Sequence, residues 1–202
     1  MSLTDTKLQV LAEHYKNTFD FLQNNLKRRD RLFLGVLCIL ILMLFQLFTP
    51  QEASNLISQF ISNKLNITTQ MNLLFVQSII WFILLAITLK YFQSVVFIER
   101  EYNYIHKLEE QLSSEYGEKA FTREGSSYLK DYPIFLNWAS FLYTIFFPII
   151  LLIISGSKII SECKTLGFKP ILVWFNLAIF LFIVISVILY FIVLHFKKKK
   201  AI

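Results

Sequence analysis

Histidine, cysteine, proline and glycine are scarce in this 202-residue sequence, with three, two, four and five of them respectively. Each scarcity removes a class of function. His14, His106 and His195 lie far apart in the chain and fit no metal-ligand spacing. No Ser/His/Asp or Cys/His set can be assembled from what is present, so the expected catalytic residues, metal ligands and cofactors are none, and the chain is not expected to be an enzyme. Cys38 sits in an apolar run and Cys163 in what reads as a loop, so the two do not read as a disulfide pair. Thr122-Arg123-Glu124-Gly125-Ser126-Ser127-Tyr128 lacks the paired glycines and the Gly-Lys-Ser/Thr ending of a phosphate-cradling loop.

Charge is also missing, and its absence is concentrated. Leu32–Phe48, Leu73–Leu89, Ile134–Ser155 and Ile171–Leu194 contain no Asp, Glu, Lys, Arg or His. Each approaches or exceeds the length that crosses a hydrocarbon core of roughly 30 Å at about 1.5 Å per residue. Hydrophobic residues make up 55% of the chain, 21 of them Phe, too much apolar surface for a soluble domain of this size. The predicted fold class is all-α, a four-span transmembrane protein with helical extensions outside the bilayer. Proton-coupled transport is not expected, because such pumps need a carboxylate or histidine within the spans and these runs have none.

Lys and Arg set the orientation. Lys7, Lys16, Lys27, Arg28, Arg29 and Arg31 precede the first run, Arg100, Lys107, Lys119, Arg123 and Lys130 lie between the second and third, and Lys197–Lys200 follow the fourth. The other side carries Lys64, Lys158, Lys164 and Lys169. Both termini and the middle loop are therefore expected in the cytoplasm. The segments read as a cytosolic amphipathic helix with a basic cluster (1–31), spans one and two with an outer-leaflet helix (32–97), a cytosolic helical loop (98–133), spans three and four (134–196), and a basic tail (197–202).

Outside the spans the periodicity is helical. Leu8, Leu11, Tyr15, Phe19, Leu22 and Leu26 recur at spacings of three and four and predict an amphipathic helix over 4–29. Lys27, Arg28, Arg29 and Arg31 follow it at headgroup level. Together with Arg123 and Lys130 they are the candidates for holding a lipid headgroup or an anionic ligand. Span two continues without a breaker through Val95, Ile98, Tyr102, Ile105, Leu108 and Leu112 toward Gly117. Ile98, Tyr102, Ile105 and Leu112 are the candidate oligomer seam, unless this stripe packs on the N-terminal helix of its own chain. Thr49-Pro50-Gln51-Glu52 fits a capping box, with a short outer-leaflet helix after it. Asn66-Ile67-Thr68 is a glycosylation sequon.

Within the spans, uncharged polar groups remain. Asn137, Ser140, Thr144 and Ser155 fall close to one helical face of span three and are the candidate pore lining. Pro148 shares that face and is the candidate kink or gate. The alternative is interhelical hydrogen bonding that carries no function. Four helices enclose little space, so a conducting pathway implies a cyclic homo-oligomer, expected to be a tetramer. A pore lined partly by Leu, Ile and Phe would rest dry and closed.

With Leu8–Arg31 leading into span one and Lys90–Leu112 leaving span two, the layout resembles small multi-pass effectors of bacterial antiphage defence. These include the two-span effectors of nucleotide-signalling operons and the membrane component of Hailong-type systems. Four spans here depart from the two-span families. The resemblance implies a homo-oligomer in the bacterial inner membrane that permeabilises it on receiving a nucleotide or oligonucleotide signal or a cytosolic partner protein. Two other readings stand beside it: a non-conducting scaffold or sensor subunit of a membrane complex, and an endoplasmic-reticulum protein whose Lys199-Lys200-Ala201-Ile202 end is a dilysine retrieval signal.

Overall fold

A computed structural model describes residues 3–65, 73–116 and 134–196. The described residues are helical, in the order α1 (Leu3–Phe48), α2 (Pro50–Leu65), α3 (Leu73–Tyr116), α4 (Ile134–Phe141), a π-helical turn (Leu142–Phe146), α5 (Phe147–Leu166) and α6 (Ile171–Phe196). Four helical stretches are long and apolar enough to cross a membrane: Thr6–Phe48, Leu73–Glu115, Trp138–Leu166 and Ile171–Leu194. The fold is the all-α, four-span arrangement expected. Two compact units divide it, one formed by Met1–Arg31 with Phe92–Leu142, the other by Leu32–Tyr91 with Tyr143–Ile202.

In the first unit, α1 and α3 pair antiparallel. His14 lies by Tyr104, with Nε2 and the hydroxyl 2.8 Å apart, and Phe21 meets Phe97 edge-on at 5.8 Å. Leu22, Ile98 and Ile105 form the buried centre, with Tyr15, Phe19, Leu26 and Tyr102 packed around it. The Tyr15 hydroxyl donates to Glu109 Oε1 at 3.0 Å, so a carboxylate can be buried here because it is hydrogen-bonded. The two amphipathic stripes read from the sequence are thus each other's partner within one chain. The candidate seam residues Ile98, Ile105 and Leu112 are all buried, and Tyr102 packs against the same core. These residues are thus packed within one chain.

In the second unit each helix buries one stripe. In α6 it is Val173, Asn176, Ile179, Ile183, Val187 and Tyr190, at steps of three and four, while Phe182, Ile185 and Leu189 stay exposed. Exposed apolar surface on this scale belongs against lipid, as the charge-free runs require. Thr49 joins α1 to α2 in a different way from the expected capping box. Its hydroxyl donates back to the Phe45 carbonyl at 2.9 Å, and its carbonyl accepts from the Ala53 N–H at 2.9 Å. The hydroxyl has taken the local backbone acceptor within reach one turn earlier.

Span three differs most from expectation. It was drawn to end at Ser155, at the approach of Lys158, but α5 runs on to Leu166. No proline interrupts 156–166, and the helix stops where Gly167 adopts φ +66° and its N–H caps the Cys163 carbonyl at 3.1 Å. Cys163, which reads as a loop residue in the sequence, is therefore helical, as is Lys158. Near the other end, the π turn at Leu142–Phe146 immediately precedes α5 and Pro148. Proline has no N–H to give the preceding turn, and a π turn is one of the ways a helix absorbs that loss. The Tyr91 hydroxyl makes a long 3.4 Å bond to the Tyr143 carbonyl there. Phe33 packs on Tyr143 and Phe147 at 4.8 and 4.7 Å, enclosing this turn in aromatic rings.

Candidate functional site: a buried carboxylate among three helices

Because α5 continues past Ser155, it carries two charges into the packed interior. Leu151, Ser155, Lys158 or Ile159, and Glu162 follow one another at helical spacing on its buried face. Lys158 and Glu162 are one turn apart, with Nζ 3.5 Å from Oε1 and side chains only 6% and 3% exposed. Two neighbouring helices supply donors to the same carboxylate. Trp81 of α3 points its indole N–H between the two oxygens, at 3.2 Å from Oε1 and 3.3 Å from Oε2. Asn176 of α6 donates through Nδ2 to Oε2 at 2.9 Å. Trp81 and Asn176 are almost wholly enclosed.

The depth of this cluster follows from helix rise. Glu162 lies about 6 Å before the end of α5, Trp81 about 12 Å after the start of α3, and Asn176 about 8 Å after the start of α6. The cluster therefore sits one to two turns inside the end of the unit where α5 connects to α6. An ionisable group at such a position is costly unless paired, and it marks a candidate functional site. The pairing neutralises the charge but leaves capacity unused. The Lys158–Glu162 separation exceeds the usual 2.7–2.9 Å of a charge-assisted bond, and Asn176 Oδ1 has no hydrogen-bond partner among the described residues. Glu162 falls within the stretch long and apolar enough to cross a membrane, Trp138–Leu166, although the charge-free run ends at Ser155.

The residues proposed as pore lining are dispersed. Ser155 is fully buried and its hydroxyl donates to the Leu151 carbonyl of its own helix at 2.6 Å. Thr144 is half-buried and Ser140 exposed, while the side chain of Asn137 lies outside the described residues. The single face inferred for these four assumed a regular helix. The π turn at Leu142–Phe146 interrupts that spacing, placing Asn137 and Ser140 before the interruption and Ser155 after it. Pro148 is buried beside the aromatic rings.

The basic cluster lies within unbroken α1. Arg29 is bound by Asp30, through Nη2 at 2.7 Å and Nε at 3.0 Å. Lys27, Arg28 and Arg31 are exposed, and none forms an ion pair among the described residues. Arg123, Lys130, the sequon at Asn66, Gly117 and the Lys197–Lys200 tail lie outside the described residues. No group of three metal-ligating side chains occurs among the described residues.

The sequence pattern alone singles out neither Trp81, Glu162 nor Asn176, and Lys158 enters it only as one of the few lysines on the outer side. The signal for the charged pair was present. Lys158 and Glu162 are four apart, extend the Leu151–Ser155 stripe, and precede the first residue suited to stop the helix, Gly167. Compared with family models, curated proteins and solved structures, the chain has no match. Its class rests on its own architecture, a multi-pass helical membrane protein in which one unit is a self-packed helical pair and the other encloses a charged cluster.

Proposed function

We propose that this protein is a gated, membrane-permeabilising effector that acts as a homo-oligomer and takes its signal through the α1–α3 pair. The observation that carries this reading is the continuity of α1 and α3, of 46 and 44 residues. Each contributes to the self-packed first unit and then continues as a membrane-crossing stretch without a break. That helical continuity is the proposed route by which a ligand or partner bound at the pair would reach two spans.

The setting proposed is a bacterial inner membrane, with both termini cytoplasmic as the Lys/Arg asymmetry favours. Antiphage defence, activated by a nucleotide signal or a partner protein, is the context that the architectural resemblance favours. A tetramer is the assembly we expect first, since one chain's spans pack against each other and leave little room for a conduit. Ser140 and Thr144, exposed and half-buried, are the polar groups we propose for the lining of a path between subunits. The test is small-cation flux through liposomes carrying the purified protein, with and without candidate activators. Flux that depends on the activator supports the reading.

A second reading, a non-conducting scaffold or sensor subunit, is favoured by a different observation. Ser155 is satisfied by its own helix, and the Glu162 cluster fills the interior of its unit. Absence of flux under every condition, including with partner proteins present, would put this reading first.

A further inference from the structure

We propose that Glu162 is the latch of the resting state: its carboxylate ties α3 and α6 to α5, and releasing it frees α3. This rests on the gated reading above. Three observations carry it.

First, one acceptor serves two other helices. Trp81 of α3 and Asn176 of α6 both donate to Glu162, whereas Lys158 lies on the same helix as Glu162 and only balances its charge. Loss of the carboxylate therefore uncouples three spans at one point. Second, the bonds are incomplete. The indole N–H is divided between two oxygens, the ammonium stands 3.5 Å away, and the Asn176 carbonyl is unpartnered in an enclosed site. An unpartnered buried carbonyl is costly, so this arrangement holds α3 and α6 less firmly than a saturated network would. Third, space lies beside the tie. An apolar groove of about 400 Å³ runs between α3 and α6, lined by Ser78 and Phe82 of α3 and Leu172 and Phe175 of α6. These residues neighbour Trp81 and Asn176 in sequence, so the surface of the α3–α6 seam beside the tie is an apolar groove and not filled by side chains of the chain itself. The helix that is freed is also one of the two that extend into the α1–α3 pair.

The test uses the full-length chain in liposomes, in a Cys38→Ser background and without activator. Cys163, next to Glu162 and part-exposed, reports the state of the tie through its labelling rate with a membrane-impermeant maleimide. Trp81→Phe keeps the ring and removes the N–H. Asn176→Ala removes the other donor and serves as a second variant if Trp81→Phe does not assemble. Rates are normalised to folded, assembled protein. Losing a hydrogen bond to a charged group is expected to raise Cys163 labelling and resting cation leak about tenfold or more in either variant. Glu162→Asp, which keeps the acceptor, is expected to lie closer to the parent than Glu162→Gln. Raised labelling with no leak would sustain the tie and overturn its role in holding a pore closed. Parent-like labelling and leak in both folded variants would overturn the latch.

Discussion

Glu162→Gln is expected to destabilise the protein more than Lys158→Met, although both break the same ion pair. The asymmetry follows from what each variant leaves behind. Without Lys158, the carboxylate keeps the Trp81 and Asn176 donors, at 3.2, 3.3 and 2.9 Å. Without a charged Glu162, the ammonium remains enclosed with no ion-pair partner among the described residues. Orphaning one member of a buried pair costs about 3–5 kcal/mol, and we assign that range to Glu162→Gln. Hydrogen bonds to a charged group contribute about 1.5–3 kcal/mol each, so the retained donors bring Lys158→Met down to about 1–3 kcal/mol. Snorkelling offers Lys158 little relief, because the end of α5 is about 12 Å further along the axis. The double variant carries no buried charge and is expected to cost less than the sum of the two, by about 1–3 kcal/mol. The assay is equilibrium unfolding of the full chain in mixed micelles, followed by tryptophan fluorescence. Single variants equal within about 0.5 kcal/mol, or a larger loss for Lys158→Met, would refute the reasoning.

Three further outcomes are expected. Leu22→Ala removes the centre of the first unit and is expected to cost about 2–5 kcal/mol, read as faster hydrogen exchange in the paired stretches of α1 and α3. Replacing Lys27, Arg28 and Arg31 with Gln is expected to reduce the anionic lipid retained by the protein in native mass spectra, while Arg29→Gln, whose cation is already bound to Asp30, has the smaller effect. In a Cys38→Ser background, Cys163 is expected to label from outside the cell and a cysteine placed at Ser127 from inside, and the reverse pattern would invert the topology.

The four spans were legible because a hydrocarbon core tolerates few charges, and the runs without them are long. Their ends were less legible. The charge-free run of span three ends at Ser155, but the rule that charge marks the boundary fails when two opposite charges lie one turn apart and face inward. Whether Lys158 points to water or to Glu162 depends on Trp81 and Asn176, which lie far away in sequence. Helical periodicity identified both stripes of the first unit, since Leu22 and Ile105 each recur at steps of three and four. It could not tell a partner in the same chain from a partner in another, because both bury the same face. Pro148 announced a disturbance in span three, but not that a π turn at Leu142–Phe146 would shift the register of Asn137 and Ser140 against Ser155.

Cation flux through liposomes containing the parent protein and the Asn137→Leu/Ser140→Leu/Thr144→Leu variant, each supplied with the activating signal or partner, tests the proposed function most directly. Hydrophobic replacement removes the groups that would hold water between subunits and leaves surfaces suited to lipid. The account predicts activator-dependent flux and cellular depolarisation from the parent, and neither from a variant that still inserts and assembles. Equal flux from both would remove this segment from the pathway, and no flux from the parent under any condition would contradict the pore itself.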